Sequence, residues 1–175
     1  MGRFKSKQPL SQVPQGMPDG SPPPGYSMYN PEDWPKEFNT GVIGIDRDGV
    51  INEWKNIIRK YEDVRWIPGS LEAIRTLRLK GYKVMMFADQ PNIHKGLLKP
   101  DDVDKIMNNF YMKEFGMNGI FSIDGFLYNT SDDPRDQFAK PNTGMFQRMK
   151  QMYKMDIKGA YYVGDTIEDI KMAQN

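Results

Sequence analysis

The chain has 175 residues, 24 lysines and arginines against 23 acidic residues for a net charge of +1, and no cysteine. That balance supplies no bulk field for nucleic acid or an anionic membrane, and the missing thiols exclude a disulfide framework and thiolate metal sites. No apolar run approaches the ~20 residues that span a bilayer, and the N-terminus lacks a signal-peptide core, so the sequence reads as a soluble protein of a reducing compartment, the cytoplasm.

Residues 1–40 carry eight of the thirteen prolines, including Pro22-Pro23-Pro24, and few large aliphatic side chains. So little apolar surface cannot offset the entropy of ordering, and proline forbids helix. The expectation is a disordered or extended arm over 1–40 whose Tyr26, Tyr29, Trp34 and Phe38 could dock on a surface, the chain's own or that of a protein partner. Met1-Gly2-Arg3-Phe4-Lys5-Ser6 also fits the loose myristoylation pattern, with an ordinary polar start as the alternative. The remainder, 41–175, has the size of one domain.

Gly41–Asp46 is apolar up to its last residue and reads as a buried strand. It runs into Asp46-Arg47-Asp48-Gly49, two carboxylates two positions apart. Residues 53–66 mix charge with aromatics, and Trp54 with Ile57-Ile58 is expected to fold over the site as a small flap. Pro68-Gly69-Ser70 followed by Leu71, Ile74 and Leu77 predicts a capped amphipathic helix ended by Lys80-Gly81. Tyr82–Ala88 is apolar enough for a strand buried on both faces. After a loop at Asp89–Lys99, Pro100-Asp101 opens a helix with Val103, Ile106, Met107 and Phe110 on one side, which Gly116–Gly119 breaks. Residues 120–123 and 126–128 read as strand, interrupted at Asp124-Gly125, and polar residues 129–139 as loop. Pro141-Asn142-Thr143 predicts the start of a helix carrying Met145, Phe146, Met149 and Tyr153. Ala160–Asp165 reads as a further strand and Thr166–Ala173 as the last helix. Strands alternating with helices imply right-handed crossovers and a doubly wound parallel sheet with helices on both faces, an α/β fold. The thirteen methionines fall largely on core faces, where they fill gaps. His94, the single histidine, lies in a loop and reads as a surface residue.

Asp46/Asp48, Asp89 and Asp165 therefore sit at three strand ends, where an open α/β sheet binds its ligands, with Asp169 one helical turn further on. Hard carboxylate oxygens without histidine or cysteine suit Mg2+, and Lys140 is a point charge suited to a phosphoryl oxygen. By composition this is a phosphoryl-transfer site.

The Asp46-Arg47-Asp48-Gly49-Val50-Ile51-Asn52 run resembles the first motif of the haloacid dehalogenase (HAD) superfamily, with wording closest to its heptose-bisphosphate and histidinol-phosphate phosphatases. Lys140-Pro141-Asn142-Thr143-Gly144-Met145 is similar to the third motif and Val163-Gly164-Asp165-Thr166-Ile167-Glu168-Asp169 to the fourth. The resemblance covers 41–175 and implies a HAD-type Rossmann-like sheet with a minimal cap. It implies Asp46 as the nucleophile that forms an aspartyl phosphate and Asp48 as general acid and then base. Mg2+ would be held by Asp46, the backbone carbonyl of Asp48 and Asp165. Lys140 would steady Asp46 and the phosphoryl group, and Asp169 would support from behind.

Three departures bear on the activity. The second motif, which normally reads Thr-Asn-Gln, is here Ala88-Asp89-Gln90. Ala88 lacks the hydroxyl that would donate to a phosphoryl oxygen, a loss of roughly 2–4 kcal/mol of transition-state stabilisation, and Asp89 adds a carboxylate expected to repel a dianionic phosphate. The place of the zinc loop, 128–139, holds no cysteine or histidine, so structural zinc is not expected; the arginine that precedes the motif lysine in many relatives is Ala139, with Arg135 as a substitute. Relatives continue into a further strand, so the sheet is expected to be one strand short, or the chain truncated after Asn175 or paired with another chain. The resulting expectation is a Mg2+-dependent phosphomonoesterase acting on a sugar phosphate or a similar small phosphomonoester. A 3′-phosphatase of nucleic-acid ends is kept open by similar motifs in polynucleotide kinases and by Arg59, Lys60 and Arg65. A third reading is a catalytically impaired HAD-like domain tethered to a protein through its arm.

Overall fold

A computed structural model describes residues 40–110, 114 and 123–175. The expected arm over 1–40, except Thr40, and the expected strand residues 120–122 lie outside the described residues, as does Gly116–Gly119. The elements run in the order β1 (Gly41–Asp46), α1 (Ser70–Leu79), β2 (Tyr82–Asp89), α2 (Pro100–Phe110), β3 (Gly125–Asn129), α3 (Gly144–Tyr153), β4 (Tyr161–Val163) and α4 (Ile167–Gln174), with one 3-10 turn at Tyr61–Asp63. The described sheet is parallel throughout, in the order β3-β2-β1-β4.

The alternation of side chains along each strand builds two cores. On one face Ile43, Ile45, Val84, Met86, Ala88, Phe126 and Tyr128 pack with Ile74 of α1 and with Val103, Met107 and Phe110 of α2. On the other, Val42, Met85, Phe87 and Leu127 meet Met145, Met149, Met152 and Tyr153 of α3. Helices thus cover both faces, and the methionines of these two cores sit where the strand and helix surfaces must be fitted together. No helix of the described residues is long and apolar enough to cross a membrane.

Several local expectations are corrected. The strip 53–66, expected as a small flap, is closed at its base by the Glu53 N–H donating to the Arg65 carbonyl at 2.7 Å. Ile58 and Val64 pack on Ile106 of α2 beside Trp66, Ile57 joins the core next to it, and Trp54 is 70% exposed. The strip is also tied to the loop after β2 by Asn92 Nδ2 donating to the Asn56 carbonyl at 2.8 Å. Ser70 does not cap α1. Its hydroxyl donates to the Ile51 carbonyl at 2.9 Å, and Gly69, with φ +84°, occupies the cap position without a side-chain bond. Gly125 belongs to β3, whereas Ile123, expected as strand, lies outside it with Asp124. That carboxylate is fully buried, accepts from the Val84 N–H at 2.7 Å and pairs with Arg78 of α1 at 2.8 Å. α3 begins at Gly144 rather than Pro141, because Asn142 is captured by a turn: its N–H donates to the Ala139 carbonyl and its side chain to the Pro134 and Asp136 carbonyls. β4 spans three residues instead of six and pairs with β1 over Ile43–Ile45.

Candidate active site

Four segments meet at the carboxyl ends of the strands. β1 ends on Asp46, which is buried. Its Oδ1 accepts from the Arg47 N–H at 2.7 Å and lies 2.8 Å from Lys140 Nζ. Lys140, in the loop between β3 and α3, is buried too and pairs equally closely with Asp169 Oδ1, at 2.8 Å. Burial lifts the Asp46 carboxyl to about 6, against the pull of Lys140. Burial would lower the lysine, but Asp46 and Asp169 outweigh it and hold the ammonium above its ordinary value. The ring of Tyr162 from β4 lies 5.7 Å from the same ammonium.

Asp169 is fixed from its own helix. Thr166 caps α4 in a reciprocal arrangement: its Oγ1 donates to Asp169 Oδ2 at 2.6 Å, and its N–H reaches the same oxygen at 3.2 Å while Oγ1 accepts from the Asp169 N–H. Although burial opposes it, the bonds from Lys140 and Thr166 keep this carboxyl below the usual carboxylate range. Gly164 lets the helix start close in: a Cβ there would come within 2.3 Å of Asp169 Cβ.

Carboxylate oxygens of Asp46, Asp165 and Asp169 lie within 4.8 Å of one another, with Asp165 the exposed member. Asp165 sits against the first motif, since a Cβ on Gly49 would fall 1.9 Å from its Oδ2; with φ +87° Gly49 has a conformation that side chains rarely adopt. Three carboxylates around one ammonium leave uncompensated negative charge, and all the donors are hard oxygens. This set fits Mg2+ or a similar hard divalent cation.

The Asp48 carboxylate is engaged elsewhere. Arg47 grips it with Nε at 3.2 Å and Nη2 at 2.6 Å, Asn52 donates to Oδ1 at 2.8 Å and Gln90 to Oδ2 at 3.1 Å. Burial alone would raise this carboxyl, but the guanidinium and the two amides hold it below its ordinary value. Asp48 therefore stands beside the acidic group as an ionised carboxylate.

In the altered second motif, the side chain of Ala88 is fully buried within the core on the α1–α2 face. Asp89 does not present a bare carboxylate to the site, as had been expected. Its Oδ1 accepts from Asn129 Nδ2 at 3.0 Å and its Oδ2 from the Lys140 N–H at 3.3 Å, while burial raises its carboxyl above the ordinary value. Arg135, the expected substitute for the arginine at 139, is exposed and paired with Asp133.

Asp46, Asp165, Asp169 and Lys140 are thus brought together, Asp48 and Gln90 join them through Arg47, and Asp89 reaches Lys140 from behind. Sequence reading missed Arg47, Asn52, Asn129, Thr166 and Tyr162. Only Thr166 left a local signal, a capping threonine three residues before an acid.

The family described as Polynucleotide kinase 3 phosphatase matches residues 43–175, most of the chain. The chain belongs to that family. It is a phosphatase of the HAD type. It is 30% identical over 136 residues to D-glycero-beta-D-manno-heptose-1,7-bisphosphate 7-phosphatase of Bordetella bronchiseptica, covering 75% of this chain and 74% of that protein. It is 29% identical over 138 residues to D-glycero-alpha-D-manno-heptose-1,7-bisphosphate 7-phosphatase of Campylobacter jejuni, covering 79% and 78%. Among solved structures, D,D-heptose 1,7-bisphosphate phosphatase from B. bronchiseptica, complexed with magnesium and phosphate, superposes with a TM-score of 0.69 at 26% identity, covering 77% of this chain and 75% of that one.

Proposed function

We propose that this phosphatase is a Mg2+-dependent phosphomonoesterase for a sugar phosphate and works through an aspartyl phosphate on Asp46. The observation that carries the reading is the shared ammonium: Lys140 Nζ lies 2.8 Å from both Asp46 and Asp169, with Asp165 completing the acidic group. The names of its relatives, heptose bisphosphate phosphatases, support the substrate class, and the magnesium and phosphate in the Bordetella structure support the metal.

Asp46 and Asp165 offer the carboxylate oxygens, and Asp48 its backbone carbonyl, that would hold Mg2+. Asp169, whose oxygens meet Lys140 and Thr166, would support from behind; the ion would neutralise charge on the phosphoryl oxygens. The chain's own groups then divide the work. Asp46 Oδ1 is occupied by Lys140 and the Arg47 N–H, which leaves Oδ2 to attack phosphorus. As that P–O bond forms, the bond from phosphorus to the sugar oxygen breaks. Asp48 carries the proton: it delivers one to the leaving oxygen and later takes one from the water that cleaves the aspartyl phosphate, returning Asp46 and free phosphate. Because Arg47, Asn52 and Gln90 occupy both of its oxygens and keep it ionised, Asp48 must give up one of these donors and take a proton from solvent before it can pass that proton to the ester oxygen. Lys140 stays charged throughout and stabilises the phosphoryl oxygens.

The test is hydrolysis of an aryl phosphate and of a panel holding sugar mono- and bisphosphates, amino-alcohol phosphates and a 3′-phosphorylated oligonucleotide, with Mg2+ and with chelator. Expected is Mg2+-dependent turnover, fastest on a sugar phosphate, that Asp46→Asn lowers by about 1,000-fold or more. No Mg2+-dependent turnover on any member overturns the reaction, and fastest turnover of the oligonucleotide overturns the substrate class.

A further inference from the structure

We propose that Asp89, with Asn129 behind it, is a positioning residue that sets the reach of Lys140; the inference rests on the catalytic reading of Lys140 given above. Asp89 and Asn129 are the last Cα partners of the β2–β3 ladder, and the Gln90 N–H seals that end by donating to the Asn129 carbonyl at 2.7 Å. The sheet register therefore places the two side chains side by side.

Asn129 is oriented before it meets Asp89. Its Oδ1 accepts from the Ser131 N–H at 3.0 Å and its Nδ2 donates to the Ser131 carbonyl at 3.0 Å. An amide held at both ends in this way cannot turn over without losing both bonds, so its Nδ2 is committed to face Asp89 Oδ1, at 3.0 Å. Asp89 Oδ2 then takes the Lys140 N–H at 3.3 Å, the long end of the range for such bonds. The loop that carries Lys140 is closed on itself by bonds from Asn142 to the Ala139 and Asp136 carbonyls and from the Gly144 N–H to the Gln137 carbonyl. The Asp89 bond ties that closed loop to the end of β2.

The arrangement requires a group that only accepts. Two N–H donors, one from Asn129 and one from the Lys140 backbone, converge on one side chain, and a carboxylate satisfies both. An asparagine at 89 has one acceptor; its own amide would meet the Asn129 amide donor to donor. The carboxylate's negative charge is thus spent on protein donors behind the lysine, and the lysine side chain, anchored at its backbone, spans to Asp46 and Asp169 on the far side.

Asp89→Ala, Asp89→Asn and Asn129→Ala, made in the full chain, test this against the parent and in a Lys140→Ala background. With Mg2+ and an aryl phosphate each is expected to lower kcat by about 10- to 100-fold, as losses of such supporting partners do, with a smaller change in KM. In the Lys140→Ala background the same substitutions are expected to change kcat by less than about twofold, because groups acting through one residue are not additive. Hydrogen exchange at the Lys140 amide is expected to quicken in Asp89→Ala while exchange in the core strands holds. A rise in kcat for Asp89→Asn, additive losses without Lys140, or an unchanged Lys140 amide overturns the proposal. A parent without Mg2+-dependent turnover overturns the proposed reaction instead, and the Lys140 amide still decides whether Asp89 holds the loop.

Discussion

Lys140 is surrounded by acids, and three of them are oriented by separate partners. Asp46 is held by the Arg47 N–H, Asp169 by Thr166 and Asp89 by Asn129, so one ammonium pairs with two carboxylates without drawing in the third. Among the described residues Asp165 has no such restraint, and it is the exposed member of the group, which makes it the residue whose loss is expected to weaken the proposed metal binding with least effect on the fold. Asp165→Asn is expected to raise the Mg2+ concentration for half-maximal rate by about 100-fold or more, since even supporting partners are worth about 10- to 100-fold; a Mg2+ titration of the aryl phosphatase rate, alongside a melting curve, checks it. The chemistry-bearing residues were legible in the sequence because the reaction demands their types: carboxylates at strand ends, and a lysine before Pro-x-x-Gly. Asn52, Asn129 and Arg47 were not, because an amide or guanidinium gains its meaning from the register of the ladder that carries it.

Among the elements, the strands and helices with an unbroken apolar pattern were readable almost to the residue. Gly41–Asp46 begins and ends as its pattern indicates, and α2 begins at Pro100 as expected, while the expected break at Gly116–Gly119 lies outside the described residues. The misses fall where side-chain hydrogen bonds compete with the backbone pattern: Asn142 delays α3, and Ser70 bonds to Ile51 instead of capping α1. The junction of α2 with β3 hides a buried acid that no pattern announced. Asp104, on the core face of α2, is 2% exposed; the Tyr128 hydroxyl lies 3.4 Å away and Asp101 is the neighbouring charge. Burial pushes its carboxyl up to about 7 from an ordinary 3.8. The folded chain thus binds this proton more tightly than the unfolded one. Its contribution to stability is complete below the unfolded value and is lost as pH rises through the folded one. Asp104→Asn is expected to gain stability relative to the parent between about pH 4 and about pH 7.5, read as the difference between urea midpoints at each pH. A constant difference would show that the acid is already ionised in the fold.

At the scale of the molecule, α1, β2 and β3 are joined through the Arg78–Asp124 pair, 1% and 0% exposed, in which Asp124 also takes the Val84 N–H and Arg78 donates to the Tyr82 carbonyl. Removing one partner leaves the other charge buried. Arg78→Met is expected to destabilise the chain by about 3–5 kcal/mol, measured by denaturant unfolding, and Arg78→Met with Asp124→Leu to recover much of that loss. The fold class was legible because alternation of strand and helix permits few topologies. The pairing of Arg78 with Asp124, 46 positions apart in the chain, was not, since charge at such a distance carries no period.

The acidic group of Asp46, Asp165 and Asp169 is assembled from residues that are neighbours only after β1, β4 and α4 have come together. Carboxylates gathered in this way repel one another more than they do in the open chain, a cost of folding that Lys140 offsets for Asp46 and Asp169. On the proposed reading a divalent cation would offset the rest, and its binding energy would be expressed as resistance to unfolding. At a Mg2+ concentration 100 times its dissociation constant the native state is expected to gain about 2.7 kcal/mol, visible as a melting temperature that climbs with Mg2+ and falls back with chelator. In Asp165→Asn the climb should need more metal, so an inert heating curve would read out the same group as the catalytic assay.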